Sequence, residues 1–501
     1  MGTSLRPTRV LTDMQESHPR VRQDHVNLDR VIIVSNRLPT TVRLDRGGLQ
    51  LDPSSGGLAT GLRHLQAGSP RPWIGWSGLG VRLPPGMQRD VDTRLAQTSA
   101  RGVPLSEAEV ASYYHRFANG LLWPVLHGRP ADEPFEPGDW QTYRAVNARF
   151  AETVLDELTS DDLVWIHDYH LLLLPRMLRR RRPDVRVGFF LHTPFPDLAA
   201  WASIPESEAL LDGMLGADVV GFQTRAHVEH FAEAVRVQLG RRVELASGTG
   251  IAPDGERSVS LYFSPMSVDF GKLSSLAADH ETARRAAALR RTGGPLFVGV
   301  DRLDPTKGIP ERLEAFGRLL ELRPELHGRA RLIQLAVPSR EEVPSYRRLR
   351  ERVEALVRSL NARFASPSWT PVAYTYGTLR ESELVALYRA ADVMLVTSLN
   401  DGMNLVAKEF VAARTDEQGV LVLSRRAGAA DDLTAALLVD PTAPDDLSEA
   451  YTRALDMSVA ERRVRMRRLR ATVAGHDVNH WARHCLSQLD PGFQRSAYPG
   501  G

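Results

Sequence analysis

The sequence LFVGVDRLDPTKGIP, residues 296–310, contains an apolar run that passes directly into polar and charged residues. The run Leu296 to Val300 is typical of a parallel strand that is covered by helices on both faces. An amphipathic helix is predicted to follow over residues 309–322. The stretch therefore predicts a strand and a helix, with Arg302 and Lys307 between them.

The same alternation of apolar strands and amphipathic helices recurs along the chain. Further strands are predicted at residues 31–34, 163–166, 187–191, 219–222, 259–263, 332–336 and 393–396. Further helices are predicted at residues 142–158 and 343–364. Such alternation favours right-handed βαβ units, and 501 residues are enough for two such sheets. The predicted fold class is α/β, with two doubly wound parallel sheets.

These elements predict how the chain is divided. Residues 1–28 lack apolar periodicity and are expected to form a flexible tail. We expect a first domain over residues 29–270, a second over 271–475, and a closing helix over 476–501 that crosses back to the first. The loop 247–256 is predicted to be the exposed tip of a hairpin. Candidate site residues are sought beyond the carboxyl ends of the strands, where open α/β sheets bind ligands.

Composition narrows the classes of function. The formal net charge of +2 gives no broad field for nucleic acid, and no nucleic-acid partner is expected. No apolar run approaches the roughly 20 residues that span a bilayer, so no membrane partner is expected. The single cysteine, Cys485, leaves no internal disulfide, which fits a cytoplasmic location. Only Lys272, Lys307 and Lys408 are lysine among 63 basic residues, which suggests a GC-rich genome and a specific use for a retained lysine.

Ionisable side chains follow two of the predicted strands. The motifs WIHDYH and FLHTPFP place His167, Asp168, His170 and His192 at one edge of a sheet. Imidazole and carboxylate are good metal ligands, so a metal site is one interpretation. Recognition of sugar hydroxyls is favoured instead, because no further histidine or carboxylate pair at ligand spacing completes a metal shell. Buried structural histidines are the alternative.

Two segments of the second half suit a nucleotide sugar. Arg302 and Lys307 are positive charges beside the positive end of the helix that follows them, as a diphosphate requires. A P-loop needs Gly-Lys followed by Ser or Thr, and this segment lacks it, which disfavours nucleoside triphosphate hydrolysis. The segment DGMNLVAKE, residues 401–409, supplies an acid for sugar hydroxyls, glycine-turn amides for phosphate, and Glu409 for a ribose diol.

Ten segments, in order, resemble the trehalose-6-phosphate synthases. These are retaining glycosyltransferases with two Rossmann-like domains that face each other across a cleft, the arrangement called GT-B. The resemblance runs from Val31 to about Leu489 and rests on SNRLP, GGLATGL, WIGWSG, YYHRFANGLLWP, WIHDYH, GFFLHTPFP, GADVVGFQT, VDRLDPTKGI, LAVPSR and DGMNLVAKEF. It implies transfer of glucose from a nucleotide-glucose donor to glucose 6-phosphate, which gives α,α-trehalose 6-phosphate without a metal or another cofactor.

The resemblance also implies which residues bind the donor. They are Gly57, His192, Arg302, Lys307, Asp401, Gly402, Met403, Asn404, Leu405, Val406 and Glu409. The two cations, with backbone groups at Gly57 and at residues 405–406, hold the diphosphate, and Glu409 binds the ribose. Asp401 and the amides that follow it fix the donor glucose, and His192 binds that sugar near its 6-hydroxyl.

The acceptor site is implied in the same way. Its residues are Arg37, Trp76, Tyr114, Trp123, Asp168 and Arg340. The two arginines and the tyrosine hold the 6-phosphate, the tryptophans line the pocket, and Asp168 contacts the acceptor sugar. Without the resemblance, core packing is the ordinary interpretation of both tryptophans. The implied catalytic residues are Asp168, His192, Arg302, Lys307 and Asp401.

Retention is implied to proceed by front-face substitution, because no motif of the family offers a carboxylate nucleophile. Two alternatives stay open: a relative with another acceptor, such as a glucosylglycerol-phosphate synthase or a cyclitol-coupling pseudo-glycosyltransferase, and an idle subunit that senses sugar nucleotides. Departures from the common family pattern at Thr193, Pro305 and residues 398–400 leave the nucleobase open between UDP, GDP and ADP. A homo-oligomer is compatible with the sequence.

Overall fold

The computed structural model describes residues 28–45, 48–53, 62, 69–81, 83–132, 134–255, 257–290 and 293–490. The predicted tail, except for its last residue, and the candidate donor ligand Gly57 lie outside these residues. The described chain forms two large sheets that are mainly parallel, with helices packed on them. The prediction of an α/β fold with two parallel sheets is confirmed.

The first sheet has nine strands among the described residues. The strands of this half are β1 Val31–Arg37, β2 Thr40–Asp45, β3 Gly48–Pro53, β4 Trp73–Trp76, β5 Ala100–Gly102, β6 Leu163–His167, β7 Arg186–Phe190, β8 Val219–Phe222, β9 Glu244–Ala246, β10 Thr249–Asp254 and β11 Arg257–Phe263. The order in the sheet is β5-β4-β1-β6-β7-β8-β11-β10-β9, and β2 and β3 form a separate antiparallel pair. Pairing is parallel from β5 to β11, and only β10 and β9 run antiparallel to their neighbours.

In the part of the chain that the structure describes, the second sheet has six strands, and all its pairs are parallel. They are β12 Leu296–Arg302, β13 Arg331–Val337, β14 Val372–Tyr376, β15 Val393–Val396, β16 Val420–Ser424 and β17 Leu437–Val439. The order β14-β13-β12-β15-β16-β17 is the Rossmann order, whose switch point lies between β12 and β15. The segments that contain Lys307 and Asp401 follow these two strands, at the place where such sheets bind nucleotides.

Helices connect the strands and pack on the sheets. In the first half the longer helices are Pro85–Ala96, the π-helix Val110–Leu122, Pro137–Glu157, Leu174–Arg181, Ser207–Met214 and Arg225–Leu239. In the second half they are Phe270–Ala278, His280–Leu289, Ile309–Leu322, Pro344–Phe364, Glu381–Ala390, Leu405–Ala413, Pro444–Asp456, Val459–Gly475 and Val478–Leu489. Short helical turns lie at Glu107–Glu109, Trp123–Leu126, Tyr169–Leu171, Leu198–Trp201, Pro305–Lys307, Pro324–Leu326 and Ala429–Asp432.

Burial on both faces explains the apolar strands. Along β12, Leu296 and Val298 belong to the apolar cluster on one face of the sheet, and Phe297 belongs to the cluster on the other. Full burial of such a side chain stabilises the fold by about 1.5–3 kcal/mol. A strand with both faces covered therefore needs a continuous apolar run rather than alternation.

The hairpin prediction for residues 247–256 is wrong. Residues 249–254 form β10, which pairs with β11 on one side and with β9 on the other. Gly248 (φ +82°) and Gly255 (φ +64°) adopt the left-handed conformation at its two ends. The turn residues in this segment thus mark two tight turns, and the residues between them extend the sheet.

The chain passes between the two halves twice. It leaves β11 at Phe263 and enters the first helix of the second half at Phe270. The last helix, Val478–Leu489, returns to the first sheet, where the Trp481 ring lies 5.2 Å from the Trp165 ring and its Nε1 donates to the Ser264 carbonyl at 3.2 Å. The boundaries at 270/271 and 475/476 stay predictions.

Candidate functional site

The carboxyl ends of the two sheets meet in a cleft, and candidate residues from both halves face it. A Cβ on Gly402, of the second half, would lie 2.2 Å from the carbonyl oxygen of His192, of the first. Only glycine permits this approach of two backbones. The loop after β7 and the loop after β15 therefore form one wall of a single site.

Arg340 connects the two halves at the centre of the cleft. Its guanidinium Cζ lies 3.9 Å from the centroid of the Trp123 ring, and its Nη2 donates to the Tyr169 hydroxyl at 3.1 Å. Its Nη1 lies 3.1 Å from Asp304 Oδ2 and also donates to the Tyr346 hydroxyl. The guanidinium plane is thus fixed by stacking and by bonds at both of its terminal nitrogens.

Asp304 is the buried anion that holds this arrangement. It accepts hydrogen bonds from the Tyr346 hydroxyl at 2.8 Å and from the Thr306 N–H at 3.0 Å. Burial alone would raise the pKa of Asp304, but the charges of Arg340, Arg302 and Lys307 outweigh burial and hold the pKa well below its usual range. The carboxylate therefore stays ionised and anchors the cationic groups around it.

Arg302 and Lys307 lie at the end of β12 and just after it. Arg302 is exposed to the cleft, with its Cζ 5.1 Å from the Trp123 ring centroid. Lys307 is buried, and its Nζ lies 2.5 Å from Asp401 Oδ2. Burial alone would raise the pKa of Asp401, but the adjacent Lys307 ammonium outweighs burial, and the pKa is lowered from its ordinary value. The Lys307 charge is thus paired with the Asp401 carboxylate.

The loop after β15 presents a carboxylate and a helix N-terminus together. Asp401 Oδ2 accepts hydrogen bonds from Ser398 Oγ and Asn404 Nδ2, each at 3.1 Å. Asn404 has φ +86° and caps the helix Leu405–Ala413, since its Oδ1 accepts from the Ala407 N–H at 3.1 Å. Amides in the first turn of a helix have no partner within it and suit an anion.

Met403, Val406 and Glu409 complete this part of the site. Met403 is buried, and its carbonyl accepts from the Ala429 N–H at 2.8 Å. Glu409 lies about one turn into the helix after Val406, and its Oε2 accepts from the Tyr388 hydroxyl at 2.7 Å. Burial raises the pKa of Glu409. The helix thus carries a carboxylate about one turn from its N-terminus.

The acceptor candidates of the first half form a second cluster. Arg37 Cζ lies 4.7 Å from the Trp76 ring centroid, and the Trp76 and Tyr114 rings are 5.5 Å apart. Tyr114 stacks on His170 at 5.6 Å, and His170 contacts Tyr169 at 4.0 Å. Since Tyr169 also binds Arg340, the structure brings all the arginines assigned to the acceptor into one continuous set of contacts.

The helix that carries Tyr114 is unusual. The chain is helical without interruption from Glu107 to Leu126, and its central part, Val110–Leu122, is a π-helix. A capping box between Ser106 and Glu109 begins it. Wider helical turns change the direction of side chains and are frequent at functional sites. Here the π-helix places Tyr114 against Trp76 and His170 and ends directly before Trp123.

Asp168 and His192 lie between the two clusters. Asp168 Oδ1 accepts from the His192 backbone N–H at 3.3 Å. Burial raises the pKa of Asp168 to about 6, although backbone N–H groups that include those of Tyr169 and His192 act in the opposite direction. Burial lowers the pKa of His192 to about 3, so its imidazole is neutral at neutral pH.

Replacing Asp168 with asparagine is expected to stabilise the protein above pH 6. The native pKa of about 6 exceeds the ordinary value of 3.8, so the native carboxyl binds its proton more tightly than the unfolded one. The wild type therefore loses stability as the pH rises from about 4 to about 6, by about 2 kcal/mol for this cleft residue. Urea unfolding at pH 4 and pH 8 measures the difference. The exposed Asp161→Asn is the control, and equal stability of Asp168→Asn and wild type at pH 8 would contradict the expectation.

Strained backbone is concentrated at these residues. Six non-glycine residues in the described part of the chain have positive φ, and three of them are the candidates Asp168 (φ +75°), Arg340 (φ +47°) and Asn404 (φ +86°). Such conformations cost about 1–3 kcal/mol each and persist where the surroundings enforce them. Their grouping around one cleft favours it as the candidate functional site.

Three further residues position the site but were not predicted from the sequence: Arg312, Asp304 and Gln223. Arg312 Nη1 lies 2.7 Å from Asp301 Oδ2, and its Nε donates to Thr397 Oγ1 at 3.1 Å, which joins the ends of β12 and β15. A detectable signal existed for Arg312, because it interrupts the apolar face of the helix 309–322. Within the described residues, no group of three or more His, Cys, Asp or Glu side chains is placed to hold a metal ion.

Comparisons with known proteins agree with this geometry. The sequence profile of Glycosyltransferase family 20 matches residues 29–491. The chain belongs to glycosyltransferase family 20. It is a glycosyltransferase with the GT-B fold, as the resemblance implied.

Individual relatives match over nearly the whole chain. Trehalose-6-phosphate synthase of Mycobacterium sp. (strain JLS) is 40% identical over 91% of this chain and 95% of its own length. The α,α-trehalose-phosphate synthase [UDP-forming] of Candida albicans is 36% identical over 92% of this chain and 97% of its own length. The fold also matches a crystal structure of a UDP-forming α,α-trehalose-phosphate synthase from Burkholderia xenovorans in complex with glucose 6-phosphate. The two chains are 33% identical and superpose with a TM-score of 0.82, and the match covers 92% of this chain and 100% of that chain.

Proposed function

We propose that this family 20 enzyme transfers glucose from UDP-glucose to glucose 6-phosphate with retention, which gives α,α-trehalose 6-phosphate and UDP. One observation carries the proposal. The guanidinium groups of Arg302 and Arg340 lie 5.1 Å and 3.9 Å from the centroid of the same Trp123 ring. Cations assigned to two different phosphate-bearing substrates thus lie side by side in one cleft. The names of the relatives support both substrates.

On the donor side, the cations stabilise the leaving group. As the bond between the anomeric carbon and the diphosphate breaks, negative charge grows on the phosphate oxygens, where Arg302 and Lys307 bind it together with the amides that begin the helix Leu405–Ala413. When the donor binds, the Lys307 ammonium leaves its ion pair with Asp401 and pairs with the diphosphate instead. Asp401, still held by Ser398 and Asn404, then accepts hydrogen bonds from hydroxyls of the donor glucose.

On the acceptor side, the residues orient glucose 6-phosphate. Arg340, Arg37 and Tyr114 bind the phosphate, and Asp168 accepts a hydrogen bond from a sugar hydroxyl. The 1-hydroxyl attacks the anomeric carbon from the face that the diphosphate leaves, and its proton passes to a departing phosphate oxygen. Positioning and charge stabilisation therefore supply the catalysis, and closure of the cleft limits hydrolysis of the donor.

The enzyme assay that tests the function is direct. Purified protein is incubated with glucose 6-phosphate and UDP-, GDP- or ADP-glucose, and the product is identified by mass and by NMR coupling at both anomeric positions. We expect an α,α-1,1 linkage, with UDP-glucose as the fastest donor. Glycerol phosphate and unphosphorylated glucose are the control acceptors. Turnover with glycerol phosphate but not with glucose 6-phosphate would show that the acceptor assignment is wrong. The absence of transfer from any of the three donors would support the alternative of a catalytically idle subunit.

Finer expectations remain predictions. They are use of GDP-glucose, a bacterial source, a cytoplasmic location, a homo-oligomer and the lack of a nucleic-acid partner. No helix in the described part of the chain has the length and apolar character needed to cross a membrane.

A further inference from the structure

The backbone of Met266, in the linker between the two halves, is bound from both sides. Its N–H donates to Gln223 Oε1 of the first half at 2.8 Å, and its carbonyl accepts from Lys408 Nζ of the second half at 2.8 Å. Lys408 also lies 2.9 Å from Asp432, and both Lys408 and Gln223 are buried. One of the few retained lysines is thus used to hold the interdomain linker.

The Met266 bond fixes the orientation of the Gln223 amide. A backbone N–H can only donate, so the atom of Gln223 that faces it must be the oxygen. The amide nitrogen therefore faces His192 Nδ1, at 3.3 Å. Because the amide nitrogen is only a donor, His192 Nδ1 must accept and carries no proton.

The proton of the neutral His192 imidazole is then on Nε2. This atom lies 3.1 Å from His167 Nδ1, which accepts from it. His167 in turn carries its proton on Nε2, which is buried and has no hydrogen-bond partner among the described residues. An unpaired buried N–H is costly, by about 1–3 kcal/mol. This unpaired N–H of His167 is the consequence of keeping the proton of His192 on its Nε2 atom.

The surroundings of His192 favour the neutral imidazole. The rings of Phe190 and Trp481 lie 4.8 Å and 5.9 Å from its ring. His192 as a residue is partly exposed, and its backbone carbonyl oxygen lies against Gly402. The Nε2–H is donated to His167 Nδ1, so an oxygen of a sugar in the cleft would receive it only by taking the place of His167.

We propose that Gln223 is a positioning residue that fixes His192 in the Nε2–H tautomer, and that the Met266 peptide, anchored by Lys408, orients the Gln223 amide for this task. The sugar-binding use of His192 rests on the proposed function, whereas its tautomer does not. His192 then acts on the donor glucose as a hydrogen-bond donor. A chain of hydrogen bonds thus connects Met266, in the linker between the halves, through Gln223 to His192, the residue assigned to the donor sugar.

The tautomer is measured in the substrate-free protein. Histidine is labelled with ¹⁵N, and the His192 signals in a long-range ¹⁵N–¹H spectrum are assigned by their loss in His192→Asn. We expect an unprotonated Nδ1 and a protonated Nε2 in the wild type. In Gln223→Glu the carboxylate still accepts from Met266 but cannot donate to His192, so Nδ1 is expected to become protonated. A protonated Nδ1 in the wild type, or an unchanged tautomer in Gln223→Glu, overturns the proposal.

Kinetics give the functional readout. Gln223→Glu is expected to raise KM for the nucleotide-glucose donor about tenfold, the loss of one hydrogen bond, and to leave KM for glucose 6-phosphate unchanged. The exposed Gln141→Glu introduces the same charge and is expected to change neither constant. If Gln223→Glu does not fold, the wild-type tautomer alone decides. The expected tautomer in a protein that transfers no glucose would refute the proposed function and leave the role of Gln223 in place.

Discussion

Replacing Lys307 with alanine is expected to lower kcat about a thousandfold, with a smaller effect on KM for the donor. Lys307 is a buried ammonium next to the beginning of the helix Ile309–Leu322, where the proposed mechanism has the charge of the leaving diphosphate develop. Removal of one preorganised donor from such a position costs roughly 10²–10³ in rate. Initial rates of UDP release at varied concentrations of both substrates measure kcat and both KM values.

Two controls make this result specific. Lys272→Ala removes an exposed lysine that pairs with the exposed Glu381 at the surface, and it is expected to leave kcat unchanged. Lys307→Ala also leaves Asp401 buried without its cation, which costs about 3–5 kcal/mol of stability. Thermal unfolding must therefore show that the variant is folded at the assay temperature. A folded Lys307→Ala variant with near-normal kcat would remove Lys307 from the diphosphate site.

The positions of Arg302, Lys307 and Asp401 were predictable because the signal is local. Each follows an apolar run whose end is visible in the sequence, and parallel strands bring their carboxyl ends to one edge. The same reasoning predicted both sheets. It failed at β10, where short strands between glycine turns carry no continuous apolar run and so resemble a loop.

Contacts between distant segments could not be predicted in this way. Asp304 fixes Arg340, which is 36 residues away in the sequence, and Gln223 binds the Met266 N–H 43 residues away. Neither polar side chain has a neighbour in the sequence that signals its partner. The role of Asp304 depends on cations that only the folded cleft assembles, and its depressed pKa is a property of that assembly.

Replacing Arg340 with lysine is expected to raise KM for glucose 6-phosphate about a hundredfold and to leave KM for UDP-glucose unchanged. The guanidinium stacks on Trp123 at 3.9 Å while its two terminal nitrogens reach Asp304 and Tyr169. A lysine keeps the positive charge, but it has neither a planar group that stacks on Trp123 nor two terminal nitrogens that bond Asp304 and Tyr169 together. The loss of charge-assisted bonds, worth about 1.5–3 kcal/mol each, accounts for the change. Initial rates at varied glucose 6-phosphate measure it.

Lysine is preferred to alanine here because it keeps a cation beside the buried Asp304 carboxylate. Arg350→Lys is a close chemical control, since Arg350 also stacks on an aromatic ring, that of Tyr376 at 4.0 Å, and bonds a carboxylate, Glu354 at 2.8 Å. Arg350 is exposed and lies outside the cleft. The Arg350→Lys substitution is expected to change neither KM. If Arg340→Lys weakened only UDP-glucose binding, Arg340 would belong with Arg302 in the donor site. The Trp123 ring would then contact two residues that bind the donor, instead of one that binds the donor and one that binds the acceptor.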